Sequence, residues 1–296
     1  MLFRKARVLA VVLVMVLCAA AAVGCTTTGG EGAEPAPGAS LAYVDWASES
    51  ASTHVVKAVL EQELGYEVEL SVLDAGPMFT GVAKGSYDGI VAAWLPETHA
   101  DYMAEFGDQF VDLGPNLEGA KIGWVVPAYV EIDSIEEMNE VADKLGNRIV
   151  GIDPGSGLMR ASDKAMAEYG LEENFELLDG SDASMAAALK RAIDNEEWIV
   201  VTGWTPHWKF ARWDLKYLDD PRGGFGEAEN IHTIVREGLE EDDPVLYEFL
   251  DNFSWTPEDM SEVMVMVEDG MTPEEAASRW VNDNRDKVAE WLPATE

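Results

Sequence analysis

Three apolar runs in this sequence end on tryptophan: Leu41 to Trp46, Gly89 to Trp94 and Trp198 to Trp204. Each reads as a buried strand closed by a large aromatic, and in open α/β sheets ligands sit outside the carboxyl ends of the strands. Indole is the strongest cation–π partner. Several indoles around one point can hold a quaternary ammonium ion, which has no N–H to donate. Trp46, Trp94 and Trp204 are therefore candidate walls of a site for a betaine-like cation. The chain has ten Trp residues, so ordinary packing competes with this reading for each one taken singly.

A second signal lies in Ile149 to Met159, IVGIDPGSGLM, a strand that turns through Gly155-Ser156-Gly157 directly into a helix. Such a turn presents free backbone N–H groups at a positive helix end, which suits an anion. No Gly-Lys-Ser/Thr follows and there is no G-x-G-x-x-G, so a carboxylate or a single phosphate fits better than a nucleotide. His99, one turn beyond Trp94 in WLPETH, is placed to donate to that anion; a surface histidine is the bland alternative. Glu97 and His99 lack a third metal ligand at fitting spacing. His207 and Trp208 either line the mouth of the pocket or shape a turn.

The elements that must position these residues follow a regular order. Strand Leu41–Trp46, helix Ser50–Gly65, strand Tyr66–Leu73, helix Pro77–Lys84 and strand Tyr87–Trp94 make one βαβαβ unit, which calls for parallel strands with helices on their faces. Lys121–Val126 is a strand leaving it. A second unit follows: helix Ser134–Leu145, strand Arg148–Ile152, helix Ser156–Tyr169, strand Phe175–Leu178, helix Ser181–Asp194 and the strand ending at Trp204. Two α/β units imply two lobes with a cleft between them. Asp243-Pro244, Thr256-Pro257 and Thr272-Pro273 each pair an N-cap with Pro at the first helical position. Trp280 and Trp291, in the last helices, read as packing residues.

Composition bounds the setting. Arg4, Lys5 and Arg7 precede an apolar stretch from Val8 to Gly24, the form of an export signal. Ala22-Val23-Gly24-Cys25 resembles a lipobox, which makes Cys25 the lipidated anchor of a chain on the outer face of the cytoplasmic membrane. Cys18 leaves with the signal, so no disulfide or thiolate metal site remains. Residues 26–40, rich in Thr, Gly, Pro and Glu, read as a flexible tether. The net charge is −36, and three of the 20 basic residues sit in the leader. Nucleic acid and anionic membrane surfaces would repel so acidic a chain. The expected division is 1–24 signal, 25–40 anchor and tether, 41–122 first part of lobe I, 123–230 lobe II, and 231–296 the completion of lobe I.

At these same residues the sequence resembles the glycine betaine-binding lipoproteins of ABC importers, a group that also takes choline and carnitine. VDWASESAST (44–53), VAAWLPETH (91–99), VVPAY (125–129), GIDPGSGLM (151–159), VVTGWTPHWKF (200–210) and LKYLDDP (215–221) carry the resemblance. It implies an α/β type II periplasmic-binding-protein fold whose two lobes close on the ligand. It further implies a box of Trp46, Trp94 and Trp204 around the trimethylammonium group. The ligand carboxylate is then held by His99 and by the backbone N–H groups of Gly157 and Leu158. The implied partners are glycine betaine or a similar zwitterion and an ABC permease, with no cofactor and no metal. No G-x-S-x-G, H-E-x-x-H or Ser/His/Asp order is present. The alternative of a different class is a surface enzyme or sensor acting on quaternary amines.

Overall fold

The computed structural model describes residues 36–294. The stretch read as an export signal, Cys25 and most of the stretch read as a tether fall outside the described residues. Strand β1 (Gly38–Tyr43), helix α1 (Ala47–Glu63), β2 (Glu67–Val72), α2 (Ala75–Ala83) and β3 (Gly89–Leu95) form the first unit. Strand β1 pairs in parallel with both β2 and β3. Every residue of β3 is buried, as expected for a strand covered on both faces. On α1, Val55, Val56, Val59 and Leu60 lie at helical spacing and are buried.

Helix α3 (Ala100–Phe106) leads into the long strand β4 (Phe110–Pro127). The second unit follows as β5 (Arg148–Val150), α4 (Gly157–Glu168), β6 (Glu176–Leu178), α5 (Asp182–Asp194) and β7 (Val200–Thr205). Here β5 pairs in parallel with β6 and β7, so both units share one strand order. Strands β8 (Leu215–Tyr217) and β9 (Glu229–Arg236) complete a nine-stranded sheet among the described residues, in the order β2-β1-β3-β9-β4-β7-β5-β6 with β8 branching off β4. Strand β4 is the splice. Its first part, Phe110 to Ala120, runs antiparallel to β9, and its next residues, Lys121 to Val125, run antiparallel to β7.

Helices α6 (Pro244–Asn252), α7 (Pro257–Glu268), α8 (Pro273–Asp283) and α9 (Arg285–Trp291) close the chain. Their starts follow the N-cap chemistry of the sequence: Asp243 accepts from the Leu246 N–H, and Thr256 and Thr272 form capping boxes with Asp259 and Glu275. Trp280 and Trp291 stack at 5.9 Å, buried with Trp255 and Phe253. They pack, as read.

Several expectations are corrected. The strands are parallel inside each unit, as expected, whereas β9 joins β3, and β7 joins β4, antiparallel. Helix Ser134–Leu145 is a 3₁₀ helix over Ile135–Val141 followed by turns. The tether ends earlier than composition implied, because Gly38, Ala39 and Ser40 pair with Glu67, Val68 and Glu69 of β2. Trp46 is not a strand residue. Strand β1 stops at Tyr43, and Trp46 is the extended N-cap of α1.

Candidate ligand-binding site

One small apolar cavity is lined by Trp46, Trp94 and Trp204 together with Thr98, Ile122, Ile152, Gly157 and Leu158. Five of the six ligand residues read from sequence thus share its wall. Each tryptophan arrives by a different route. Trp94 is the sixth residue of buried β3, Trp204 the fifth of β7, and Trp46 the cap of α1. All three are nearly inaccessible, at 7, 3 and 3 % exposure for Trp46, Trp94 and Trp204. The rings of Trp46 and Trp204 stand 6.4 Å apart and 54° to each other, adjacent walls of a corner rather than a stacked pair.

The indole N–H groups fix these walls. Trp46 Nε1 donates to Asp153 at 2.9 Å, Trp94 Nε1 to Glu49 at 2.7 Å, and Trp204 Nε1 to the Ser48 hydroxyl at 2.9 Å. With every indole N–H turned aside onto a partner, the tryptophans offer the cavity ring surface and no donor. Two of these bonds join the first unit to the second. A third link has the same sense: the Ala47 N–H, at the first turn of α1, donates to Asp182 of α5.

Another part of the wall is built by the start of α4. Ser156 caps the helix by accepting from the Met159 N–H, so the N–H groups of Gly157 and Leu158 have no acceptor within the helix. Both residues line the cavity at the positive end of the helix dipole. Gly157 is required by packing. A Cβ there would lie 2.2 Å from the Thr98 carbonyl oxygen.

His99 does not itself line the cavity. It follows Thr98 as the N-cap of α3, fully buried, with Nδ1 accepting from the Trp94 N–H at 3.0 Å. That bond puts the ring proton on Nε2, which has no partner among the described residues. Burial, and then the charge of Arg160, push its pKa down to about 3, so the ring is a neutral donor. His207 is buried too. It bonds Asp182 at 2.9 Å and sets its edge against the Trp204 ring at 4.6 Å, so it supports the wall and does not line the cavity.

Sequence reasoning missed Ser48, Glu49, Asp153, Asp182 and Lys209. Lys209 is fully buried, its Nζ 4.5 Å from the centre of the Trp204 ring. None of these polar residues stands apart in the sequence from an ordinary solvated one. A roomier groove of about 720 Å³ lies outside the cavity, between the Thr205–Ala211 turn and α7 and α8. Glu258, Glu262, Arg279 and Asp283 line it, and no set of indoles converges there.

Comparison with known proteins agrees with this geometry. Residues 40–283 match the family described as the substrate binding domain of ABC-type glycine betaine transport systems. The chain is 51 % identical over 158 residues to the glycine betaine/carnitine transport binding protein GbuC of Listeria monocytogenes, a match spanning 53 % of each protein. It thus spans about half the length of that curated relative. Among solved structures it is similar to lactococcal OpuAC in its closed-liganded conformation with glycine betaine, with TM-score 0.83 and 42 % identity over 87 % of this chain and 100 % of that one. It is equally similar in fold to the glycine betaine/L-proline-binding protein ProX of Borrelia burgdorferi, with TM-score 0.83 and 38 % identity over 86 and 97 % of the two chains. The chain accordingly has the two-lobed substrate-binding-protein fold, and it belongs to the family of substrate-binding domains of ABC-type glycine betaine transport systems.

Proposed function

We propose that this protein captures glycine betaine, or a related quaternary-ammonium zwitterion, outside the cytoplasm and delivers it to the permease of an ABC importer. The reading is carried by one juxtaposition: three indoles and the free N–H groups of Gly157 and Leu158 border the same cavity. The cage receives the trimethylammonium group. The Gly157 turn, with the Nε2–H of His99, receives the carboxylate. Each desolvated cation–π face contributes roughly 2 kcal/mol, so three approach the roughly 8 kcal/mol of a micromolar complex. The carboxylate contacts then offset desolvation and closure costs.

The lobes in this reading are 41–122 with 231–296, and 123–230, and the change of partner along β4 after Ala120 supports that division. Cys25 carries the lipid that holds the protein at the membrane. The bonds from Trp46 to Asp153, Ala47 to Asp182 and Trp204 to Ser48 all cross between lobes, as expected of a closed clamp. Calorimetric titration with glycine betaine, paired with solution scattering, tests the reading. One molecule binds per chain and the radius of gyration shrinks. Absence of heat at millimolar betaine sinks it.

A further inference from the structure

The first turn of α1 holds an unusual pair. Ser48 and Glu49 are at 0 and 1 % exposure, although a helix's first turn is where acidic residues ordinarily meet water. Trp204 Nε1 donates to Ser48 Oγ, Ser48 Oγ donates to Glu49, and Trp94 Nε1 donates to the other carboxyl oxygen of Glu49. Indole N–H groups can only donate. Each oxygen of Glu49 therefore accepts a hydrogen bond from a neighbour, an arrangement that serves both oxygens of a carboxylate without supplying a positive charge.

No basic group pairs with this carboxyl among the described residues. The charged group facing it across α1 is Asp182 of α5, whose own charge is shared with His207 and, farther off, Lys209. The acid is buried without a counter-ion, directly behind a tryptophan whose face borders the cage. We propose that Glu49 is the counter-ion of the bound quaternary ammonium group, held behind Trp94, so that capture of the cation ejects a proton from Glu49 and cation affinity rises with pH. This rests on the reading of the cavity as a quaternary-ammonium cage.

Burial pushes Glu49 up to about 7, the bonds from Ser48 and Trp94 only partly opposing it. Near neutral pH the ligand-free protein is thus divided between its acid and carboxylate forms. A cation favours the carboxylate, which lowers the pKa in the complex and releases the proton. The neighbouring titratable groups separate cleanly. His99 and His207, lowered to about 3 and about 4, stay neutral in this window, and Asp182 stays ionised. Lys209, lowered by burial to about 7, titrates in this window too, and it sits behind Trp204 rather than Trp94.

The test uses the full-length protein and two ligands, choline and glycine betaine. Titration calorimetry at pH 7 in two buffers of different ionisation enthalpy counts protons released on binding. About half a proton leaves the wild type and Lys209→Met alike, and none leaves Glu49→Gln, which keeps the side-chain size. From pH 8 to pH 6 the choline Kd of the wild type rises about tenfold, the linkage for a free-state pKa near 7. The shift for betaine is smaller, because its own carboxylate offsets part of the field. The Kd of Glu49→Gln stays flat. If that variant fails to fold, the wild type and Lys209→Met still decide the matter by the same count. Betaine binding with no proton release and a flat wild-type profile overturns the role of Glu49 and leaves the cage intact. Release that persists in Glu49→Gln and vanishes in Lys209→Met also overturns it. A protein that binds neither ligand at any pH overturns the cage and Glu49 together.

Discussion

Replacing Gly157 by Ala should damage ligand binding while leaving the ligand-free fold alone, and the distances say why. The added methyl would sit 2.2 Å from the Thr98 oxygen, 2.5 Å from its Cγ2 and 2.9 Å from its carbonyl carbon, all inside van der Waals contact. Thr98 cannot easily retreat. Its N–H donates to Glu229 at 3.1 Å, its hydroxyl donates to the same carboxylate, and its carbonyl accepts from Arg160 at 3.3 Å. The Gly157 backbone is outside the left-handed region, and Ala is a better helix former, so the substitution strains nothing within α4 itself. The clash falls between Thr98, beyond β3, and the start of α4, and in the proposed two-lobed clamp an opening motion relieves it. Overpacking of this kind costs about 1–3 kcal/mol, and here that cost should appear as a weaker betaine Kd, about five- to a hundredfold. The Gly157→Ala variant keeps the backbone N–H, so the loss is steric rather than a missing donor. Titration calorimetry gives the Kd and thermal unfolding without ligand gives the Tm. An unchanged Kd would refute the reasoning, and so would a Tm loss as large as the binding loss, which would mean that the closed contact already exists in the free protein.

The same contact shows what a sequence can and cannot disclose. Gly157 was legible because a strand, Gly-Ser-Gly and an apolar helix in succession leave few other structures. Trp94 was legible because GIVAAW is apolar without alternation, and β3 is buried at every position. Trp46 lines the same cavity as Trp94 and Trp204 but from a different element than its sequence implied, since an aromatic N-cap three residues past a strand leaves no period to read. Strand β9 alternates weakly, Ile231, Thr233 and Val235 inward against His232 outward, but nothing local announces that it returns antiparallel between β3 and β4. The partners of the cage are hidden for a deeper reason. Asp153 meets Trp46 across 107 residues, Ser48 meets Trp204 across 156, and Asp182 meets Ala47 across 135. Only the splice along β4 brings them together, so Ser48 and Glu49 look in sequence like any solvated first turn.

Trp46→Ala, Trp94→Ala and Trp204→Ala should each weaken betaine by about 2 kcal/mol, whereas Trp280→Ala, in the C-terminal aromatic cluster, should lower the Tm and leave the Kd of the folded protein alone; equal losses of affinity would mean the wrong tryptophans. His99→Ala should cost betaine about 1.5–3 kcal/mol, the worth of a hydrogen bond to a charged group, with choline nearly unchanged; equal losses by calorimetry would put His99 in the fold instead. Raising NaCl from low salt to about 1 M shortens the Debye length to about 3 Å, and with a net charge of −36 the Tm should rise; a fall would refute self-repulsion as the dominant surface term. Stability should also fall on acidification, and its slope can be worked out. Burial lowers His99 to about 3 and His207 to about 4, so between those values and 6.5 the unfolded chain binds protons that the folded one refuses. Their contribution is fully present above pH 6.5 and is lost as pH falls through that range. Glu49, raised to about 7, acts in the opposite sense between pH 4.5 and 7 and cancels one of them. The net slope these three groups give between pH 4.5 and 6.5 is therefore that of one group, at most about 1.4 kcal/mol per pH unit. In denaturant titrations His99→Gln should flatten this slope and Glu49→Gln should nearly double it. If neither variant changes it, these three side chains do not set the acid sensitivity of the fold.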